Sequence, residues 1–295
     1  MSVTQNLSAR AKLRLETARA RYGWVDVALA TAKRFSDQDG AFYAAGLTYF
    51  VFFSIFPLVL FGVSALGFIV FLSDELKLDI VNASTEAFPL MTQVLQEETL
   101  DNVANARFSL AAVGLALVLY TGTGGIVALE HALNRIGGLT DEGTFLQKRT
   151  RALRFLATVG IIPVISVALG AAARFLPTVL GFIAYLGGAL MSVLLFATAF
   201  KFLPAVRPSW REALPGAAIA GAIFEVLKVV GPLYLDWGGK RRDATFGAFA
   251  ATAGLLISAY LLSQVTLLAA QLNAVLAERR QSREFSLADK DKEAP

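Results

Sequence analysis

One stretch of the chain, residues 41–72, contains no Asp, Glu, Lys, Arg or His and includes ten aromatic side chains. As an α-helix it would be about 48 Å long, because each residue adds about 1.5 Å, whereas the hydrocarbon core of a bilayer is about 30 Å thick. A helix of a soluble protein is rarely apolar on every side over such a length. The stretch therefore predicts a membrane-spanning helix that must tilt or kink, and Pro57 at its centre is an expected kink.

The rest of the sequence has a similar composition. Hydrophobic residues make up 56% of the 295 residues and charged residues only 17%, against about 25% charged residues in soluble domains. We predict an all-α polytopic membrane protein, with one membrane domain of about six transmembrane helices. The predicted spans are residues 41–72, 109–131, 153–174, 176–202, 213–235 and 244–277.

Polar segments flank this domain. Residues 1–40 are basic, and apolar side chains from Leu15 to Leu29 recur at helical spacing. This pattern predicts an amphipathic helix on an anionic membrane surface, with a plain solvated tail as the alternative. No cleavable signal peptide is expected, because the first forty residues lack a continuous apolar run. Residues 278–295 are predicted to form a charged tail.

The distribution of basic residues predicts the orientation. If the six spans alternate in direction, 20 Lys and Arg residues fall on the side of the two termini and six on the other side. Because basic loops stay in the cytoplasm, both termini are predicted to be cytoplasmic in a bacterial inner membrane. The expected partners are membrane lipids with anionic headgroups at the cytoplasmic face, and a small molecule or lipid as substrate. The net charge of +4 is therefore attributed to membrane topology and to contact with anionic lipids, and no nucleic acid partner is expected.

Several kinds of chemistry are excluded by composition. The chain has no cysteine and one histidine, His131, so disulfides, thiol catalysis and His-rich metal sites cannot form. No pair of carboxylates or Ser–Lys arrangement stands out on adjacent turns of one helix. We therefore predict no catalytic residue, no metal, no cofactor and no enzymatic activity.

The most informative polar residues lie within the fifth span. Gly221, Glu225 and Lys228 follow one another at helical spacing on one face. Charges at this depth cost a few kcal/mol each, so they are expected to face the bundle or a wet cavity. One interpretation is a polar site on a substrate or proton path. The other is a Glu–Lys pair that neutralises itself, or a lysine whose amine reaches the interface.

The second span carries three glycines near its middle, Gly122, Gly124 and Gly125. They predict either an unwound segment that borders a substrate path or close packing of a neighbouring helix. Glu130 and His131 follow at the predicted cytoplasmic interface. They are interpreted either as an interfacial pair or as a pH-sensitive gate.

The sixth span places three polar residues on one face, Tyr260, Gln264 and Gln271. They are candidates for lining the substrate path or for hydrogen bonding between helices. Proline removes a backbone hydrogen bond and favours a kink. Further kinks are therefore predicted at Pro163 and Pro232.

Three patches resemble the YihY/BrkB (virulence factor BrkB) family of bacterial inner-membrane proteins, which includes YhjD-like members. They are Asp39-Gly40 leading into AAGLTYFVFFSIFPLVL (residues 44–60), Ala-Leu-Asn-Arg at residues 132–135, and Phe246-Gly247 followed by residues 255–276. The resemblance implies a six-helix inner-membrane protein and brings no assigned reaction.

The sequence departs from the family pattern at two positions of the final helix. Gln271 stands where the family has an acidic residue, and Ser258 where it commonly has Trp. The family was formerly labelled ribonuclease BN. A zinc-dependent nuclease needs several His and Asp ligands, and this chain has one histidine.

Two functions remain open at this point. The first is a transporter or lipid-handling protein that exports or flips its substrate. The second is a membrane scaffold or assembly partner without a substrate. A continuous polar cavity that reaches Glu225 would favour the first, whereas a solid, self-satisfied core would favour the second.

Overall fold

A computed structural model describes residues 22–70, 97–139, 143–172, 176–239 and 244–293. Within these ranges the chain is helical and contains no strand, which confirms the all-α class. The helices in chain order are α1 (Gly23–Asp37), α2 (Gly40–Val70), α3 (Glu97–Ile136), α4 (Phe145–Val159), α5 (Ile161–Ala172), α6 (Thr178–Phe202), α7 (Trp210–Gly239) and α8 (Ala244–Glu293).

Several of these helices can cross a membrane. By length and composition, four segments of the described chain are long and apolar enough to do so: Phe108–Ile136, Thr178–Phe202, Trp210–Val230 and Thr252–Ser286. A shorter apolar segment, Gly40–Ile55, belongs to α2. The chain is therefore a polytopic membrane protein.

The first predicted span forms most of α2, and the sequence explains where this helix begins. Asp39 has a positive φ of 55° and separates α1 from α2. Gly40 then opens α2, and a Cβ atom there would lie 2.4 Å from the Phe35 ring, so a larger residue would require this ring to move. The helix continues through the buried Pro57 to Val70 without interruption.

The third predicted span differs from the structure. Instead of one helix over residues 153–174, the chain forms α4 and α5 with a break at Gly160. Pro163 lies in the first turn of α5, where its missing N–H is tolerated, whereas its ring would clash with the carbonyl four residues earlier in a continuous helix. Pro163 therefore explains a helix break that lies three residues earlier in the chain, at Gly160. The helix also starts earlier than predicted, because Thr144 and Gln147 form a reciprocal capping box.

The amphipathic N-terminal helix is described only from Tyr22 onwards, and the preceding 21 residues lie outside the described part of the chain. Its described portion, α1, packs against α8. Arg34 forms an ion pair with Glu278 and donates to the Ile136 carbonyl at 3.0 Å. Asp26 pairs with Arg279 at 2.5 Å. The helix is thus docked against the rest of the protein by specific polar contacts.

Small residues make up much of the bundle core. Ala44, Ala132, Ala217, Ala220 and Ala269 are all at most 3% exposed. They let neighbouring helices approach closely, and α7 accordingly packs against both α6 and α8. This packing places the polar face of α7 against α6, which in turn packs against α5, and the candidate site lies there.

Candidate functional site

The fifth predicted span supplies an ion pair inside the bundle. Glu225 and Lys228 lie three residues apart on α7, and the Lys228 Nζ is 2.6 Å from the Glu225 Oε1. The side chains are 8% and 20% exposed, respectively. Each charge is therefore compensated by the other within a single helix turn. This geometry is the one expected for the Glu–Lys pair that the sequence analysis gave as one of its two interpretations.

Two buried serines extend this pair to neighbouring helices. Ser192 of α6 donates to the Glu225 Oε1 at 2.5 Å, and Lys228 donates to the Ser166 hydroxyl of α5 at 3.0 Å. The two hydroxyl oxygens are 2.7 Å apart, and both serines are fully buried. Glu225, Lys228, Ser166 and Ser192 together form what we call the buried polar network. It connects α5, α6 and α7 through hydrogen bonds rather than through apolar packing alone.

Two glycines allow the helices to come this close. The Gly188 carbonyl of α6 accepts from Ser166 at 2.9 Å, and a Cβ atom on Gly188 would lie 3.1 Å from the Ser166 carbonyl oxygen. A Cβ atom on Gly221 would lie 2.7 Å from the Val193 Cγ2 and 2.9 Å from its Cα. Gly221 therefore serves the candidate site by bringing α6 towards α7.

An aromatic ring borders the network on the same helix. The Lys228 Nζ lies 5.3 Å from the centroid of the Phe224 ring, within the range of a cation–π contact. Phe224 packs in turn edge-on against Phe196 of α6, with 6.0 Å between the ring centroids. The ammonium group thus has four neighbours: a carboxylate, two hydroxyls and a ring face.

Sequence reasoning missed Ser166 and Ser192. Each is the only serine of its helix, which is a weak signal because a serine hydroxyl can bond to the carbonyl four residues earlier in its own helix. Only the packing of α5 on α6, and of α6 on α7, brings these hydroxyls to the charges.

The glycine patch of α3 is not unwound. The helix is continuous through Gly122, Gly124 and Gly125, and a Cβ atom on Gly124 would meet the Phe50 ring of α2 at 2.5 Å. Gly125 is also close to Phe50, at 3.4 Å, whereas Gly122 has ordinary contact space beside Leu156. Close packing of α2 against α3 therefore accounts for Gly124 and Gly125, and the unwound segment is not formed.

The two residues of the suggested gate lie in different environments. Glu130 is 3% exposed and pairs with Arg151 of α4 at 3.0 Å. His131 is exposed, and its ring centroid lies 5.8 Å from that of Tyr43. Glu130 therefore ties α3 to α4, while His131 faces α2 and the surface.

The polar face of α8 extends towards the turn between α1 and α2. Gln271 is 1% exposed, and its Nε2 donates to the Gln38 Oε1 at 2.7 Å. Its own Oε1 is buried without a hydrogen-bond partner among the described residues. Tyr260 and Gln264 are half-buried, and Tyr260 packs against the apolar core. Gln271 therefore joins α8 to the turn between α1 and α2.

Two asparagines have structural contacts that the sequence analysis did not assign. The Asn273 side chain on α8 accepts from the Gly216 N–H at 2.7 Å and donates to the Ala213 carbonyl at 3.0 Å. The Asn134 side chain on α3 accepts from the Ala205 N–H at 2.8 Å. Both lie in patches on which the family resemblance is based. Part of the sequence pattern that resembles the family is thus explained by helix packing.

The described ranges contain no assembled metal site. No three His, Asp or Glu side chains are grouped there closely enough to hold a metal ion. The buried polar network contains one carboxylate, one ammonium and two hydroxyls. Such a set can exchange hydrogen bonds and a proton, and it can bind a polar group if the helices separate.

Two known proteins similar to this chain are described as membrane proteins. A UPF0761 membrane protein of Chromohalobacter salexigens is 28% identical over 281 residues, covering 88% of this chain and 66% of that protein. The chain thus spans just under two thirds of this relative's length. The inner membrane protein YhjD of Escherichia coli is 25% identical over 268 residues, covering 82% of this chain and 78% of that protein.

A third relative bears a different description. The ribonuclease-like protein YfkH of Bacillus subtilis is 22% identical over 264 residues, which cover 84% of this chain and 94% of that protein. No solved structure matches the chain. The family model described as Virulence factor BrkB matches residues 31–294, nearly the whole chain, and the protein therefore belongs to this family.

Proposed function

We propose that the protein moves a polar or amphipathic substrate, such as a small molecule or a lipid, across the membrane. The observation that carries this proposal is the buried polar network at Glu225 and Lys228. Intramembrane ionisable residues are rare, because each charge at the centre of a membrane helix costs about 2.5–3.5 kcal/mol on insertion scales. They are retained mainly where a substrate or a proton must pass.

The hydrogen bond from Lys228 to Ser166 connects the buried polar network to α5, and this connection can rearrange. Ser166 lies on a helix of 12 residues that is separated from α4 by the break at Gly160. A short segment next to a break can shift with fewer backbone hydrogen bonds to disturb than the middle of a long helix. If α5 moves, Lys228 loses the hydroxyl of Ser166 and can offer its ammonium group to a substrate.

We further propose that no covalent chemistry is involved. The relative described as ribonuclease-like gives a competing assignment. A metal-dependent nuclease would need a cluster of His and Asp ligands, and this sequence has a single histidine. The proposal is therefore transport or flipping without hydrolysis.

A membrane scaffold is the second candidate, and one observation favours it. Each charge and hydroxyl of the buried polar network already has a hydrogen-bond or ion-pair partner. A static core would have this arrangement as well. The two candidates differ in whether the charges themselves are needed.

Transport in reconstituted vesicles separates the two candidates. We expect Glu225→Gln to abolish movement of fluorescent lipids or of candidate solutes. Because this change leaves the Lys228 ammonium group without its carboxylate, transport is compared per amount of folded protein in the vesicles. The double variant Glu225→Gln/Lys228→Met is the matched control, because it removes both charges and leaves neither unpaired. If the double variant supports normal cell function and the wild type moves no substrate, the scaffold is the correct assignment.

The proposed orientation has both termini in the cytoplasm of the bacterial inner membrane. Its support is the excess of Lys and Arg on the side of the termini. Reporter fusions at positions 90 and 145 test it. We expect a periplasmic signal from the first and a cytoplasmic signal from the second, and an external signal at 145 would contradict the orientation.

A further inference from the structure

A cleft opens between α1 and the polar end of α8. Its volume is about 540 Å³, within the range of small-molecule sites in proteins. Three arginines line it, Arg34, Arg279 and Arg283, together with Glu278 and Ser282. The cleft lies apart from the buried polar network, which is formed by α5, α6 and α7.

The charges around the cleft do not cancel. Arg34 pairs with Glu278, and Arg279 pairs with Asp26. Arg283 is exposed, and no described residue forms an ion pair or a hydrogen bond with its guanidinium group. Two carboxylates therefore compensate two of the three arginines. Among the described residues, the positive charge and the five N–H donors of Arg283 have no counter-ion or acceptor, and we take them as the groups that a ligand can use.

Arg34, which also lines the cleft, has a second N–H donor without a partner among the described residues. The Arg34 Nε is buried and has no hydrogen-bond partner among the described residues, although its two terminal nitrogens are engaged by Glu278 and the Ile136 carbonyl. The two pairs with Glu278 and Asp26 fix the arginine-bearing helices relative to each other. The cleft is thus held in shape by its ion pairs before any ligand enters.

The position of the cleft relates it to the membrane surface. The uncharged part of α8 ends at Ala277, and Glu278 is the first residue of the charged end. Trp24 at the start of α1 is 72% exposed, as expected for an aromatic side chain at a membrane–water interface. Basic pockets between helices at this depth are suited to phosphate-containing headgroups.

We propose that this cleft binds a phosphate group, with Arg283 as the main ligand. A guanidinium group matches a phosphate with two parallel hydrogen bonds, which gives both affinity and orientation. The phosphate can belong to an anionic lipid headgroup or to a soluble phosphate compound, and the experiment below distinguishes these sources. The site does not depend on the proposed transport function.

Binding is measured on the full-length protein in a zwitterionic detergent. Short-chain phosphatidylglycerol, short-chain phosphatidylcholine and inorganic phosphate are titrated separately, and the midpoint of thermal unfolding reports binding. We expect Arg283→Gln to weaken the binding of phosphatidylglycerol about tenfold, because a hydrogen bond to a charged group is lost. Arg283→Lys should give an intermediate affinity, since it keeps the charge and loses the planar fork.

Arg280→Gln is the charge-matched control. Arg280 lies on the same helix, outside the cleft, and donates to the Arg211 carbonyl at 3.1 Å. We expect this variant to bind phosphatidylglycerol like the wild type. Dependence on Arg283 for phosphatidylglycerol alone would assign the site to a lipid headgroup, and the same dependence for inorganic phosphate would assign it to a soluble phosphate. Equal losses in Arg280→Gln and Arg283→Gln, or no binding by the wild type, would overturn the proposal.

Discussion

Lys228→Met is expected to lower the free energy of unfolding by about 3–5 kcal/mol, because it leaves the Glu225 carboxylate buried without its cation. The lysine side chain is 20% exposed and the glutamate 8%, so little water can replace the ammonium group. The Ser192 hydroxyl would remain as a hydrogen-bond donor to the carboxylate, but it carries no charge. The loss is measured as a shift in reversible unfolding in detergent and as reduced protein abundance in the membrane.

The double variant Glu225→Gln/Lys228→Met tests the cause of this loss. Replacing both members of a buried ion pair by neutral residues is often close to neutral for stability. We expect the double variant to recover most of the stability that Lys228→Met loses, which a double-mutant cycle reports as a coupling energy. Wild-type stability of Lys228→Met would show that the observed ion pair is not a stabilising contact, and additive losses would show that the two residues act independently.

The residues of the buried polar network differ in how readily the sequence predicts them. Glu225 and Lys228 stand out, because charges within an apolar segment are costly and rare. Their spacing of three residues also predicts that they share a helix face. Ser166 and Ser192 are 26 residues apart in the sequence, yet their hydroxyl oxygens are 2.7 Å apart. No local sequence pattern predicts such a contact. It depends on how three helices pack.

The helical segments were largely predictable from composition, but helix continuity was not. The apolar segments predict the spans because an exposed backbone in lipid must form helices. The break between α4 and α5 depends on Pro163, whose clash acts on the preceding turn, so the observed break is at Gly160 rather than at the proline. For the α3 glycines the sequence left two interpretations open. Phe50 of another helix decides between them, since it occupies the space beside Gly124.

Gly216→Ala is expected to lower the free energy of unfolding by about 3 kcal/mol, near the upper end of the usual range for overpacking. A Cβ atom at this position would lie 2.2 Å from the Ala269 carbonyl oxygen and 2.7 Å from the Asn273 Nδ2. The carbonyl belongs to the backbone of α8 and cannot rotate away. The added methyl group must therefore separate α7 from α8, and the 2.7 Å hydrogen bond from the Gly216 N–H to Asn273 is lost with it.

For Gly46→Ala we expect the opposite effect on stability, although the chemical change is the same. Gly46 lies inside α2, and a Cβ atom there would have no heavy-atom neighbour within 4 Å. Alanine is a better helix former than glycine by up to about 1 kcal/mol, so this variant should unfold at the same or a higher temperature than the wild type. Opposite signs for the two variants, measured by thermal unfolding in one detergent, would attribute the loss at Gly216 to the contact between α7 and α8. If Gly216→Ala is also neutral or stabilising, the close approach of the two helices at Ala269 is wrong.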